Sequence, residues 1–126
     1  MPNVLIVGNR ADDRAVVRSL FEAQDEFVVC GEAENGVEAV EKATELSPDL
    51  IILNVSATLV DGFEVAEIFK QTMPHVPLFL LTSHYNVVTE RIALSCGICA
   101  VFAKDDDPHS LILNARAVCG DAHEEQ

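Results

Sequence analysis

The chain has 126 residues, of which 49% are hydrophobic and 23% charged, and these values predict one globular domain rather than a disordered protein. Its net charge of −13 argues against binding to nucleic acid or to an anionic membrane, because both require a basic surface. No apolar run approaches the ~20 residues of a membrane span and no signal peptide precedes the first strand, so we expect a cytoplasmic protein with reduced cysteines.

Strand-like and helix-like segments alternate from the N-terminus. Strands are predicted at residues 4–7, 27–30 and 50–53, and helices at residues 11–23 and 37–46. Asp12 and Asp13 fall in the first turn of the first helix, where the helix dipole stabilises acidic side chains. Ser47 and Pro48 are expected to end the second helix, because the residue before a proline disfavours helical geometry.

The same alternation continues through the second half of the chain. Helices are predicted at residues 62–73, at about 86–95 and at 108–119, and strands at residues 78–81 and 99–103. Pro108 fits the first turn of the last helix, and Cys119 with Gly120 is expected to close it. Residues 121–126 are then expected to form a disordered tail or the start of a linker.

These segments make five βα units. Apolar strands without alternation indicate a parallel sheet covered by helices on both faces. We therefore predict an α/β protein with a flavodoxin-like, doubly wound sheet in strand order 2-1-3-4-5, formed by residues 1–120. In such a fold, ligands bind at the carboxyl ends of the strands.

The predicted strand ends bring a short set of polar residues to this crevice. They are Gly8 and Asn9, Asn54, Thr82 and Ser83, and Lys104. The set contains an amide, two hydroxyls and an ammonium group, but no carboxylate ends a strand. Asn54 is the unexpected member, because an amide is a poor nucleophile, a poor base and a poor metal ligand.

Several motifs occur in order along the chain. They are VLIV at 4–7, PDLIILN at 48–54 followed by Val60-Asp61-Gly62, Leu81-Thr82, Ala103-Lys104, and the segment VCGEAENGVEAVEKATELSPDLIIL at 29–53. With these motifs the chain resembles a response-regulator receiver domain of bacterial two-component signalling over essentially its whole length. Lys104-Asp105, followed by Asp107-Pro108 and a leucine-rich helix, resembles the subclass that precedes LuxR-type helix-turn-helix domains.

The resemblance implies a degenerate phosphorylation site. In the family, an acidic pair after the first strand helps to hold Mg²⁺, and an aspartate at the end of the third strand accepts a phosphoryl group, which a hydroxyl and a lysine then bind. Gly8 and Asn9 replace the acidic pair and Asn54 replaces the acceptor, whereas Thr82 and Lys104 match. The sequence therefore predicts a phosphorylation-independent receiver that has lost Mg²⁺ binding and is not an enzyme. The alternative is a conventional receiver mutated at position 54 alone. Gly8 and Asn9 argue against it, because a single engineered change would leave the acidic pair intact.

Further expectations follow for the surrounding residues. Val101 stands where the family usually has an aromatic switch residue, and an aliphatic side chain cannot make the same swing. Asp12 and Asp13 are expected to face away from the crevice, since they lie about one helical turn beyond the first strand. Lys104 is therefore expected to reach the carbonyl oxygen of the Asn54 side chain or a solvent anion. An acidic partner, Asp12, Asp13 or Asp61, is the alternative. Asp61 in the Asp-Gly turn is expected to be structural.

The resemblance also implies how the domain acts. Protein partners, or a second copy, are expected to use the face formed by the helix at 86–95, the fifth strand and the last helix, or the face formed by the first and last helices. A DNA-binding domain is expected to follow in the intact protein. The rival interpretation is a small flavodoxin-like enzyme or protein that binds an anion or nucleotide through Asn54, Thr82, Ser83 and Lys104, although a glycine-rich phosphate loop is missing.

Cys96-Gly97-Ile98-Cys99 is a Cys-x-x-Cys sequence. A thioredoxin-like motif follows a strand and opens a helix, whereas this pair is predicted to end a helix and enter a strand. Zinc would require a second pair of ligands. A redox role for Cys96 and Cys99 is left open as the weaker interpretation.

Overall fold

Helices and strands alternate along the chain in the computed structural model, which describes residues 1–55 and 59–124, without the side chains of residues 55, 59–61 and 120–124. The strands are β1 (Asn3–Val7), β2 (Val28–Ala33), β3 (Leu50–Val55), β4 (Leu78–Thr82) and β5 (Ala100–Ala103). The helices are α1 (Ala11–Glu22), α2 (Gly36–Leu46), α3 (Leu59–Thr72), α4 (Val87–Ser95) and α5 (Pro108–Glu124).

The five strands form one sheet in the order β2-β1-β3-β4-β5, and every neighbouring pair is parallel. This is the flavodoxin-like, doubly wound arrangement that the sequence predicted. In the register, Val7 lies beside Leu53, and Val55 lies beside Thr82. The carboxyl ends of β1, β3 and β4 therefore reach the same edge of the sheet.

Alternate residues of each central strand pack against opposite helical layers. Val4 and Ile6 of β1 belong to the core shared with α1 and α5. Leu5 and Val7 belong to the core shared with α2, α3 and α4. Because both faces are covered, nearly every residue of these strands is buried, and this explains their uninterrupted apolar sequence.

Two helices at the carboxyl edge of the sheet begin at asparagine caps. The Asn35 side chain accepts a hydrogen bond from the Glu38 backbone N–H at 2.9 Å, and Asn86 does the same for Thr89 at 2.9 Å. Helix α2 ends at Ser47, which has a left-handed backbone with φ of 50°. The predicted stop at this residue is confirmed.

The structure corrects three predicted boundaries. Strand β2 continues to Ala33 rather than ending at residue 30, because Glu32 lies in an edge strand, where a polar side chain has access to solvent. Helix α3 begins at Leu59. Helix α5 continues to Glu124 instead of closing at Gly120, since one interior glycine destabilises a helix by only about 1 kcal/mol. The division into residues 1–120 and 121–126 stays a prediction.

Within the described part of the chain, none of the helices has both the length and the apolarity needed to cross a bilayer. The cytoplasmic location expected from the sequence stays a prediction.

Candidate functional site

The crevice at the carboxyl edge contains the strand-end residues that the sequence predicted. Gly8 follows β1, Asn54 lies near the end of β3, and Thr82 ends β4. Lys104 follows β5, and its backbone N–H donates to the Thr82 carbonyl at 2.9 Å. Polar side chains from three strands are thus brought together, as expected from the parallel topology.

Asn54 is almost completely buried, with 3% of its surface exposed. Its Nδ2 donates a hydrogen bond to the backbone carbonyl oxygen of Asp13 at 3.0 Å. An ionised aspartate at position 54 would have no proton to donate there, because a carboxylate is only an acceptor. The amide at position 54 is therefore matched to its neighbour in a way that the usual carboxylate is not.

Lys104 forms an ion pair with Asp13, and this corrects two predictions. Its Nζ lies 3.2 Å from Asp13 Oδ2, with 21% and 28% of the two side chains exposed. The prediction that Lys104 contacts the Asn54 side-chain oxygen or a solvent anion is therefore wrong. The expectation that Asp13 faces away was also wrong.

The geometry of α1 explains why Asp13 faces the crevice. Helix α1 begins at Ala11, shortly after β1 ends at Val7, and the Cα–Cβ bonds of a helix tilt toward its N-terminus. A first-turn side chain consequently points back over the sheet edge. Asp13 also lies 3.8 Å from the Nε of Arg10, so two cations flank its carboxylate. Asp12 is exposed, and the Asp61 side chain lies outside the described residues.

Thr82 is fully buried, and its hydroxyl oxygen accepts a hydrogen bond from the His84 backbone N–H at 3.0 Å. The hydroxyl is thus held by the turn that follows β4. Val101 is half-buried and packs against the core on the α2, α3 and α4 side of the sheet.

The end of β1 is braced by Arg14, a residue that the sequence did not single out. Its Nη1 donates to the Gly8 carbonyl oxygen, and its Nε donates to Glu32 Oε1 at 2.9 Å. Arg18 Nη1 donates to the other oxygen of Glu32 at 2.7 Å. Desolvation raises the pKa of Glu32, but the hydrogen bonds from Arg18 and Arg14 outweigh it, so the pKa is lowered overall.

Gly8 has little room for a side chain. A Cβ atom at this position would lie 2.9 Å from the Asn54 backbone carbonyl oxygen. The strand ends of β1 and β3 therefore approach each other more closely than any larger residue at position 8 would allow without a backbone shift.

All four cysteines are free thiols. Cys96 caps the end of α4 and Cys99 immediately precedes β5, which confirms the predicted placement of the Cys-x-x-Cys sequence. Cys119 is buried, and burial raises the pKa of its thiol to about 11. The arrangement offers no thiolate at a helix N-terminus, and a redox role for the pair stays an open prediction.

Comparison with known proteins gives a consistent result. The response regulator receiver domain model matches residues 4–116. A putative transcriptional regulator of Pseudomonas aeruginosa is 36% identical over 118 residues, which cover 94% of this chain and 56% of that protein. The response regulator protein VraR of Staphylococcus saprophyticus is 34% identical over 95 residues, covering 75% of this chain and 46% of that protein. The chain thus spans about half the length of these relatives.

The solved structures agree on the fold. A two-component response regulator of the LuxR family from Aurantimonas sp. SI85-9A1 superimposes with a TM-score of 0.87 at 21% identity, covering 95% of this chain and 86% of that chain. Receiver domains of response regulators are generally non-enzymatic. On the match to residues 4–116 and the parallel sheet in order 2-1-3-4-5, the chain belongs to the response regulator receiver domain family of two-component systems.

Proposed function

We propose that this receiver domain works without phosphorylation and acts by presenting a fixed surface to protein partners. One observation carries the proposal: the lysine and the amide at the crevice both bind Asp13, from the first turn of α1. Lys104 therefore already has a carboxylate partner within the chain. Asn54 offers no carboxylate to attack phosphorus.

The donor set at the crevice supports the loss of Mg²⁺ binding. Mg²⁺ is usually held through one or two carboxylates, with octahedral oxygen coordination. Gly8 has no side chain, its carbonyl oxygen accepts from the Arg14 guanidinium, and Asn54 directs its amide N–H toward a backbone oxygen. Among the described residues, no group of three His, Cys, Asp or Glu side chains is placed to hold a metal. The Asp13 carboxylate, which also lies at the crevice, is paired with Lys104 and Arg10, so this donor set disfavours Mg²⁺.

The absence of an aromatic residue at position 101 supports a surface that does not switch. Val101 packs against the core below the crevice, and its aliphatic side chain has no ring to swing outward. With Lys104 held by Asp13, neither of these positions is placed to respond to a phosphoryl group.

Mass spectrometry tests the proposal directly. The chain is incubated with acetyl phosphate and Mg²⁺ and its intact mass is measured. We expect no added phosphoryl group, since Asn54 cannot form an acyl phosphate. A phosphoryl adduct that hydroxylamine removes would overturn the proposal. The Asn9→Asp/Asn54→Asp double variant provides a comparison that leaves Gly8 unchanged.

Receiver domains interact with proteins such as kinases and effector domains, and we place the contact of this chain on the face formed by α4, β5 and α5. Helix α4 exposes Val87 (64%), Val88 (66%) and Ile92 (43%), and α5 exposes Leu113 (50%). Exposed large apolar side chains favour association, which includes self-association. Analytical ultracentrifugation of the chain and of the Val88→Glu variant tests self-association. A monomer at every concentration in both proteins would exclude it.

We further propose that the domain belongs to a transcriptional regulator whose DNA-binding part is not in this chain. The relatives from Pseudomonas aeruginosa and Staphylococcus saprophyticus support this, because the match leaves about half of each protein uncovered. The net charge of −13 disfavours DNA contact by the receiver itself. Sequencing the native gene around this segment tests the proposal.

Binding of an anion or nucleotide at the crevice is the weaker candidate. Lys104, the cation at the end of β5, is already paired with Asp13 at 3.2 Å, so an incoming anion would compete with an internal carboxylate. A thermal-shift screen of nucleotides and flavins distinguishes the two functions. Saturable stabilisation by a nucleotide would favour this candidate.

A further inference from the structure

A cavity of about 700 Å³ lies between α2 and α3, beside the crevice. It is lined by the ends of β1 and β3 and by residues of both helices. Its volume is in the range of about 300–1,000 Å³ that is typical of small-molecule sites. It shares Gly8, Asn9 and Asn54 with the crevice, but its described lining includes neither Lys104 nor Thr82.

The walls of the cavity are mainly aliphatic. They include Leu53 at the sheet edge, Val37 and Val40 of α2, and Val65 and Ile68 of α3. Val37 is 73% exposed and Ile68 is 42% exposed, so two large apolar side chains at the cavity face solvent. A ligand with an apolar body would remove this surface from water, which is favourable by the hydrophobic effect.

The charged residues of the cavity are all acidic. Glu34, Glu41 and Glu64 line it and are exposed, and no Lys or Arg is among its described lining residues. Carboxylates with apolar walls favour a cationic ligand and disfavour an anionic one, and the net charge of −13 acts in the same direction.

Asn54 also lines the cavity and is 97% buried. Its Oδ1 has no hydrogen-bond partner among the described residues, but the atom is enclosed, so a ligand would reach it only after a neighbouring group moves. The affinity for a ligand is therefore expected to come from the apolar walls and the carboxylates.

We propose that this cavity binds a small amphiphilic cation, with an apolar body between α2 and α3 and an ammonium group near the carboxylates. Such a ligand would give the domain a chemical input other than phosphorylation. The proposal goes beyond the function given above and does not depend on it, because ligand binding is measured directly and does not require the crevice to be unphosphorylated.

A pair of probes that differ in charge tests the proposal. Naphthylethylamine and naphthylacetate carry the same ring system, with a cationic and an anionic group respectively. Each is titrated into the chain and followed by heteronuclear NMR. We expect the amine to give saturable shifts at Val37, Val40, Val65 and Ile68, and the acetate to give none. Absence of saturable shifts with the amine, or equal binding of both probes, would overturn the proposal.

Two matched variant pairs locate the site. Ile68→Trp should fill the cavity and weaken amine binding by about tenfold, whereas Val28→Trp places the same side chain on the edge strand β2, with similar exposure and outside the cavity, and should leave amine binding unchanged. Glu64→Gln should weaken binding of the amine by about two- to fivefold, as expected for the loss of an exposed ion pair. Glu45→Gln, which lies outside the cavity, should leave this binding unchanged. Equal losses in a variant and its control would refute the location.

Discussion

The amide at position 54 is explained by its hydrogen bond to the Asp13 carbonyl oxygen at 3.0 Å. The contact places an acceptor opposite the side chain, so a donor is needed there. Asn54 and aspartate have nearly the same shape, and the difference between them is a proton donor. Position 54 and the first turn of α1 are therefore linked through one contact.

The ion pair between Asp13 and Lys104 gives the first prediction at this scale. Both side chains are partly exposed, so we expect a coupling free energy of about 1 kcal/mol rather than the several kcal/mol of a fully buried pair. Urea unfolding of Asp13→Asn, Lys104→Met and the double variant measures it. Asp12→Asn, one position away and exposed, is the control and should change stability little. Additive effects of the two substitutions would contradict the pair.

Gly8 gives a second prediction. A Cβ atom at this position meets the Asn54 carbonyl oxygen at 2.9 Å, whereas at Gly31 the equally close atom is the Cδ1 of Leu46. A leucine methyl group can move, but the backbone of β3 cannot move cheaply. We expect Gly8→Ala to destabilise the fold by about 1–3 kcal/mol and Gly31→Ala to do so by less. The midpoints of urea unfolding compare them, and equal losses would show that the close approach at Gly8 is not limiting.

The sequence predicted the members of the site better than their contacts. Asn54, Thr82 and Lys104 could be assigned because apolar strands ended on them. The position of Asp13 could not be deduced from its distance along the chain alone. The short connection between β1 and α1 was the useful signal, since first-turn side chains tilt back toward a helix N-terminus.

At the scale of elements, Glu32 connects three segments of the chain. Its carboxylate accepts from Arg14 and Arg18 of α1, and its backbone carbonyl oxygen accepts from Lys42 of α2. These hydrogen bonds connect the edge strand β2 to α1 on one side of the sheet and to α2 on the other. Because Arg14 also donates to Gly8, the same cluster supports the end of β1 at the crevice.

This cluster predicts a pH dependence of stability. The pKa of Glu32 is lowered on folding from its ordinary 4.5, so its contribution is fully present above pH 4.5 and is lost as the pH falls through the folded-state pKa. Glu32→Gln should therefore lower the free energy of unfolding at pH 7, and the deficit should shrink below pH 4.5. Urea unfolding across this range measures it, with Glu45→Gln as the control for removal of an exposed charge. A deficit that is the same at every pH would contradict the assignment.

The ends of the helices and strands show where local sequence patterns were insufficient to predict a boundary. Ser47 could be identified as the end of α2 because it precedes Pro48, and the residue before a proline disfavours helical geometry. The end of β2 could not, since Glu32 is polar and is kept in the strand by its register with Ile6. Pairing between strands is a non-local interaction that single-sequence patterns do not contain.

At the scale of the whole molecule, the architecture follows from uninterrupted apolar strands and amphipathic helices. Strands such as Leu50–Leu53 must be covered on both faces, and only helices from both sides of a parallel sheet can cover them. The fold was therefore predictable without reference to the residues of the crevice. The surface charge, in contrast, is not fixed by the fold and is set by 21 acidic against 8 basic residues.

This imbalance gives the last prediction. In the described structure, six of the eight Lys and Arg side chains lie within 3.8 Å of a carboxylate. Most basic side chains are thus already paired with a carboxylate, and many of the 21 acidic side chains repel one another with no basic side chain to offset the repulsion. Added salt screens this repulsion and also weakens the exposed ion pairs, but the repulsion should dominate because anions exceed cations by 13.

We therefore expect the Tm to rise by a few degrees between about 0.01 and 0.5 M NaCl, which shortens the Debye length from about 30 Å to below 10 Å. Thermal unfolding followed by circular dichroism measures the change. Glu45→Lys, which reduces the net negative charge by two without touching the crevice, should raise the Tm at low salt and show a smaller salt response. A Tm that falls with salt would mean that ion pairs such as Arg18 with Glu32 outweigh the self-repulsion of the acidic surface.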